Sequence, residues 1–139
     1  MSKIVNISEA VSIAIYSMAV IAHGSGKVNG VQVCELTGFS RNHTAKILQL
    51  LAKHNFLKSE RGPKGGFELN SPAENIYLID IYKLVEGSYP ENSHCLHNRD
   101  HCPFEKCVYG GIANDFSQNF LAYLSGKSLA DIELKNTKA

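Results

Sequence analysis

Polar and apolar positions change rhythm several times along this chain, and each change predicts a new element. Behind Ser8, a hydroxyl N-cap with Glu9 near the positive helix end, Val11, Ile15, Met18, Ala19 and Ala22 recur at helical spacing. Ala14 and Tyr16 extend that buried stripe, and Gly24-Ser25-Gly26 ends the helix. A second, shorter helix is predicted from about Val31 to Leu36, with Gly38 making the turn toward Ser40. Two helices joined by a short glycine-containing turn form a helix-turn-helix unit. After Ser40, another hydroxyl cap, Ala45, Ile47, Leu48, Leu50 and Leu51 supply the apolar side of a third helix. Arg41, Asn42, His43, Lys46 and Gln49 are left for its other face.

The period then falls to two. Phe56-Leu57-Lys58-Ser59-Glu60 reads as a strand, Arg61-Gly62-Pro63-Lys64-Gly65-Gly66 as a glycine-rich turn, and Phe67-Glu68-Leu69 as the returning strand. Three glycines around a Pro-Lys exceed the one or two positive-φ residues of a simple hairpin. Ser71-Pro72-Ala73-Glu74 initiates the next element, with Pro at an early helical position. Ile76, Leu78, Ile79, Ile81, Tyr82, Leu84 and Val85 carry it to a stop at Gly87. A loop of about 17 residues follows, Ser88 to Phe104, long enough to expect a function. The last long helix is predicted from about Glu105 to Ser125, with Val108, Ile112, Phe116, Phe120, Leu121 and Leu124 on one side. Gly126 caps it and Ser128 starts a terminal turn, while Gly110-Gly111 argues for a start nearer Ile112. That helix carries more apolar surface than one small domain covers, so it is expected to dimerise.

Charge sharpens the middle of the picture. The 139-residue chain has a net charge of only +1, yet Arg41, Lys46, Lys53, Lys58, Arg61 and Lys64 stand against the single acid Glu60. Such a local footprint suits phosphate binding. The expected fold class is therefore mostly α with a small β wing, a winged helix-turn-helix plus a long C-terminal dimerisation helix. Residues 1–87 would form the DNA-binding domain, 88–107 a cysteine-rich sensor loop, and 108–139 the dimerisation helix and tail. The expected DNA-binding residues are Ser40, Arg41, Asn42, His43 and Lys46 on the helix, with Arg61, Lys64, Gly65 and Gly66 in the wing. No apolar run is long enough for a membrane span, and the N-terminus lacks a signal-peptide pattern, so a cytoplasmic location is expected. No glycine-rich nucleotide loop, paired acid/base motif or nucleophile elbow points to an enzyme.

Thiols stay reduced in that compartment, so the four cysteines are not read as a disulfide framework. Cys34, in an apolar helix, reads as a small buried hydrophobe. The segment His94-Cys95-Leu96-His97-Asn98-Arg99-Asp100-His101-Cys102-Pro103-Phe104-Glu105-Lys106-Cys107 holds three cysteines and three histidines. Its Cys-x6-Cys-x4-Cys spacing does not match the paired knuckles of a zinc ribbon. Three thiolates suit an iron–sulfur cluster with one non-thiolate or exchangeable ligand. Zinc, metal-free thiol redox sensing, and cysteines with no site at all stay open.

Four stretches together resemble the IscR/NsrR (Rrf-type) family of bacterial winged-helix transcription regulators, nearly end to end. They are the helix from Glu9 with its Ala14-Ile15-Tyr16-Ser17-Met18-Ala19 run, the wing Arg61-Gly62-Pro63-Lys64-Gly65-Gly66-Phe67, the Ile81 segment ending Val85-Glu86-Gly87, and the three-cysteine loop. Ser40-Arg41-Asn42-His43 with Lys46-Ile47 looks most like the nitric-oxide-sensing NsrR branch. The resemblance implies a homodimer, double-stranded operator DNA as partner, and a [2Fe–2S] or [4Fe–4S] cluster on Cys95, Cys102 and Cys107 that air destroys. It implies repression controlled by nitric oxide, redox state or iron. In the NsrR branch a carboxylate near the partner's N-terminus can be the fourth ligand, and Glu9 aligns there. The histidine that serves the IscR branch just after the third cysteine is replaced here by Val108-Tyr109-Gly110. His94, His97 and His101 are the local alternatives. A metal-free winged-helix regulator sensing thiol oxidation or a small molecule is the rival reading.

Overall fold

The structure, a computed structural model, describes residues 7–87 and 99–135. Helix α1 (Glu9–Ala22) starts where the Ser8 hydroxyl accepts from the Val11 N–H at 3.2 Å; such a cap stabilises a helix by about 1 kcal/mol. The same hydroxyl donates to the Glu86 carboxylate. The predicted single stripe is too narrow. Ile13, Ser17, Val20 and Ile21 are buried alongside Val11, Ala14, Met18 and Ala19, while Ile15 and Ala22 are only half-buried. Tyr16 is exposed, its ring edge-on to Phe39 at 5.6 Å. The physical reason is position: α1 is the central helix, and a helix enclosed on several sides has no single apolar face.

Helix α2 (Gly30–Thr37) is set by a reciprocal capping box between Asn29 and Gln32, both hydrogen bonds 2.9 Å. Gly38, at φ 80°, closes it. Cys34 is half-buried here, not the fully buried residue expected. Helix α3 (Arg41–Lys53) begins at Ser40, whose hydroxyl accepts from the His43 N–H at 3.3 Å. Its buried set is Thr44, Ile47, Leu48 and Leu51, at the i, i+3, i+4, i+7 spacing of one helix face. Ala45 is therefore exposed and Leu50 half-buried, against expectation.

Strands β1 (Leu57–Glu60) and β2 (Gly66–Leu69) pair antiparallel, Leu57 opposite Leu69 and Glu60 opposite Gly66. Phe56 stands just outside β1. A short antiparallel bridge adds Val28 to the sheet, through hydrogen bonds of 2.9 and 2.8 Å with Phe67. Pro72 precedes only a 3₁₀ turn, Ala73–Asn75, and not the expected helix; the backbone is extended again at Ile76. Helix α4 (Leu78–Glu86) follows and stops at Gly87, φ 78°.

The final helix, α5 (Ile112–Gly126), starts at Ile112 because Gly110 and Gly111 both take positive φ, 65° and 75°. The Glu105 start is thus corrected, and Gly126 is its last residue, with Lys127 as the cap. A backbone bridge between Tyr77 and Ser128 and the Leu129 N–H to Ile76 carbonyl bond (2.9 Å) return the chain to the core. Ser128 and Asp131 cap the closing turn, Leu129–Asp131. On α5, Leu124 is buried and Phe120 stacks edge-on against Tyr82 at 5.4 Å. Ile112, Phe116 and Tyr123 are exposed. No helix among the described residues is long and apolar enough to cross a membrane.

Candidate nucleic-acid interface and cysteine segment

Burial of Thr44, Ile47, Leu48 and Leu51 turns the opposite face of α3 outward, so Arg41, Asn42, Lys46, Gln49 and Lys53 are all exposed. Ser40 is also exposed, its hydroxyl committed to the cap. His43 differs from its neighbours. It is half-buried, with Nδ1 3.4 Å from the Glu9 carboxylate, so it joins the start of α3 to the start of α1.

In the wing, Arg61 and Lys64 are exposed at the tip. The two glycines expected at the DNA have a packing role that spacing did not reveal. A Cβ on Gly65 would lie 2.1 Å from the Glu60 carbonyl oxygen. One on Gly66, at φ 150°, would lie 2.9 Å from the Val28 carbonyl. Only glycine lets the turn fold this tightly against β1 and against the α1–α2 connection.

Between the C-terminal half of α3 and the wing runs a groove of about 680 Å³, lined by Gln49, Lys53, Ser59, Glu60 and Arg61 with Gly66 and Phe67 at its base. Lys53 lies seven residues after Lys46, on the same helical face, a spacing that could have nominated it. Lys27, which forms an ion pair with Glu60, carries no such signal, because it lies far from the basic stretch in sequence. Cationic side chains on a helix and a neighbouring wing form a surface that can straddle a duplex backbone.

Of the cysteine segment, His94, Cys95 and His97 lie outside the described residues. His101 ends a short 3₁₀ turn, Arg99–His101, and is exposed. Cys102 and Cys107 are exposed thiols. Backbone N–H groups of Gly111 and Tyr109, with a smaller contribution from Gly110, hold the Cys107 thiol below its ordinary pKa, outweighing slight desolvation. Donors aimed at an anionic sulfur suit a metal-bound thiolate and a reactive free thiolate equally well. No group of three His, Cys, Asp or Glu side chains converges among the described residues. The described part of one chain thus brings two thiols of the expected ligand set into the open, and Glu9 is engaged with His43.

This cradle predicts selective alkylation of metal-free protein. Because the thiolate form persists to lower pH, the iodoacetamide rate profile of Cys107 should have its midpoint below that of an ordinary thiol. Peptide mass spectrometry across pH 6–9 checks this, and a midpoint at or above the ordinary value would deny the cradle any effect.

The model of the Rrf2 family, described as an iron-dependent transcriptional regulator, matches residues 7–133. Among solved structures, IscR of T. potens is 23% identical, with a TM-score of 0.69 over 91% of this chain and 85% of that one. The global cysteine regulator CymR of B. subtilis is 22% identical, TM-score 0.68, over 91% and 95%. The oxidised form of CymR from Staphylococcus aureus is 21% identical, TM-score 0.69, over 95% and 100%. These likenesses bear out the fold, helical with a two-stranded wing.

Proposed function

As the chain belongs to the Rrf2 family, whose members are DNA-binding transcription regulators and not enzymes, we propose that it is a homodimeric repressor whose operator affinity is set by chemistry at Cys95, Cys102 and Cys107. The observation that carries the DNA half is the exposed cationic face of α3 lying beside a wing whose tip presents Arg61 and Lys64. Arg41, Asn42, His43 and Lys46 would meet base edges and phosphates, with Ser40 at the helix start. Arg61 and Lys64 would hold the duplex backbone, and Gly65 and Gly66 keep the wing in shape for it.

The sensing half rests on the donor set. Cys95, Cys102 and Cys107 would hold an iron–sulfur cluster, [2Fe–2S] or [4Fe–4S], with a fourth ligand from Glu9 of the partner subunit or from a loop histidine. Such a cluster supplies a centre that reacts with nitric oxide or oxidants. The chain's own part is transmission. Cys107 is followed within five residues by the start of α5, and α5 carries the exposed apolar residues suited to a second copy. A change at the thiols therefore alters how two copies meet, and so the separation of their α3 helices. Two-fold operators demand a fixed half-site separation, so a small rotation weakens binding steeply.

The exposed, N–H-cradled Cys107 thiol favours a second reading, direct thiol oxidation without metal. The likenesses to the B. subtilis global cysteine regulator and to the oxidised form of CymR from Staphylococcus aureus agree with it. Protein purified without oxygen separates the two. Visible absorption with bound iron and sulfide, lost in Cys95→Ala and bleached by nitric oxide, is the expected result. A colourless, iron-free protein that binds DNA and releases it on mild oxidation would establish the thiol reading instead.

A further inference from the structure

We propose that Lys27 is a positioning residue for DNA binding: by pairing with Glu60 it cancels the one acid lining the groove between α3 and the wing, and so keeps that groove open to phosphate. This rests on the DNA-binding reading above.

Glu60 is the single acid from Arg41 to Lys64, it is exposed, and it lines the groove together with Lys53 and Arg61. Left uncompensated, its carboxylate would repel the phosphates those cations attract. Lys27 reaches it from the α1–α2 connection, and the two side chains form an ion pair. Backbone hydrogen bonds hold both ends of this pair in place. Lys27 is followed by Val28, which exchanges two hydrogen bonds with Phe67, and Glu60 is the register partner of Gly66, next to Phe67. Little chain entropy is lost in bringing the charges together, because the backbone is already ordered. The Glu60 side chain is 59% exposed, and an open pair of this kind contributes little to folding stability. Its consequence is felt when polyanion arrives.

The test uses the full chain, a labelled mixed-sequence DNA duplex, and fluorescence anisotropy over a range of salt, with a thermal melt of every variant. Lys27→Met should lower affinity about tenfold, and Lys27→Met with Glu60→Gln should return to within about threefold of wild type. Lys27→Arg should keep wild-type binding. With Glu60→Gln alone measured to complete the cycle, a Lys27→Met effect that vanishes in the Glu60→Gln background is a result that neither an independent phosphate contact by Lys27 nor a purely structural role would produce. A double variant as weak as Lys27→Met, or a Lys27→Met variant that binds normally, overturns the proposal while leaving DNA binding in place. A wild-type chain that binds no duplex removes the functional reading itself, and this proposal with it.

Discussion

Alanine at Gly65 should abolish tight DNA binding while the helical domain stays folded. Its Cβ would sit 2.1 Å from the Glu60 carbonyl oxygen and 2.8 Å from the Arg61 carbonyl carbon, and both are backbone atoms that cannot swing aside. Nor can Gly65 retreat. Its N–H donates to the Gly62 carbonyl at 2.9 Å, and the next residue is paired with Glu60 across the sheet. The turn must open, and Arg61 and Lys64 move with it. We expect affinity for duplex DNA to fall on the order of a hundredfold, the equivalent of about 2.8 kcal/mol. Local strain of roughly 1–3 kcal/mol would lower the melting temperature without unfolding the core, because the wing packs on that core through Leu57, Phe67 and Leu69 of its strands and not through the turn. Gly66→Ala should act in the same direction, through the Val28 carbonyl. At Gly62 the added methyl meets nothing within 4 Å, so only the positive φ is penalised and the effect should be smaller. Anisotropy titration with a parallel melt measures both quantities. Normal DNA affinity in Gly65→Ala would remove the wing from the binding account.

The second large effect concerns α5. Ile112, Phe116 and Tyr123 are 46%, 52% and 58% exposed and lie at i, i+4 and i+11, which brings them onto one side of the helix. Phe116→Asp puts a charge where a second copy would bury an aromatic ring, at little cost to the monomer because the ring is already half in water. Sedimentation should show a dimer for the wild type and a monomer for the variant. With the two α3 helices no longer linked, affinity for a two-fold operator should fall by about 10²–10⁴. A variant that still sediments as a dimer would place the contact between copies elsewhere.

Local chemistry was well announced in the sequence. Ser8 and Ser40 cap the helices they were expected to cap, Gly38 and Gly87 stop the ones before them, and Gly110-Gly111 delays α5 to Ile112. These depend on neighbours a few residues away, which is what a sequence displays. What depended on the third dimension was harder to see. Ile13, Ser17, Val20 and Ile21 look like the outer side of α1 until other elements enclose it. Thr44 is a polar letter in a buried position, and Ala45 an apolar one in the open. Within the candidate site, Arg41, Asn42, Lys46, Arg61 and Lys64 were legible because exposure follows from the helical period and from the turn. The work of Gly65 and Gly66 was not, since it consists of clashes avoided with Glu60 and Val28. Lys27 could be found only once Val28 was seen against Phe67.

That pairing of Val28 with Phe67 has a mechanical corollary. It fastens the wing's returning strand to the residue that precedes the Asn29 cap of α2, and Gly38 then passes α2 directly into α3. Wing and reading helix are thereby bolted to one frame, with little play between them. On the DNA-binding reading proposed above, neither could loosen its grip on the duplex independently of the other. On the repressor reading proposed above, two copies of such a frame would resemble a pair of rigid callipers, and the signal would be delivered as a change of gauge between two unyielding jaws.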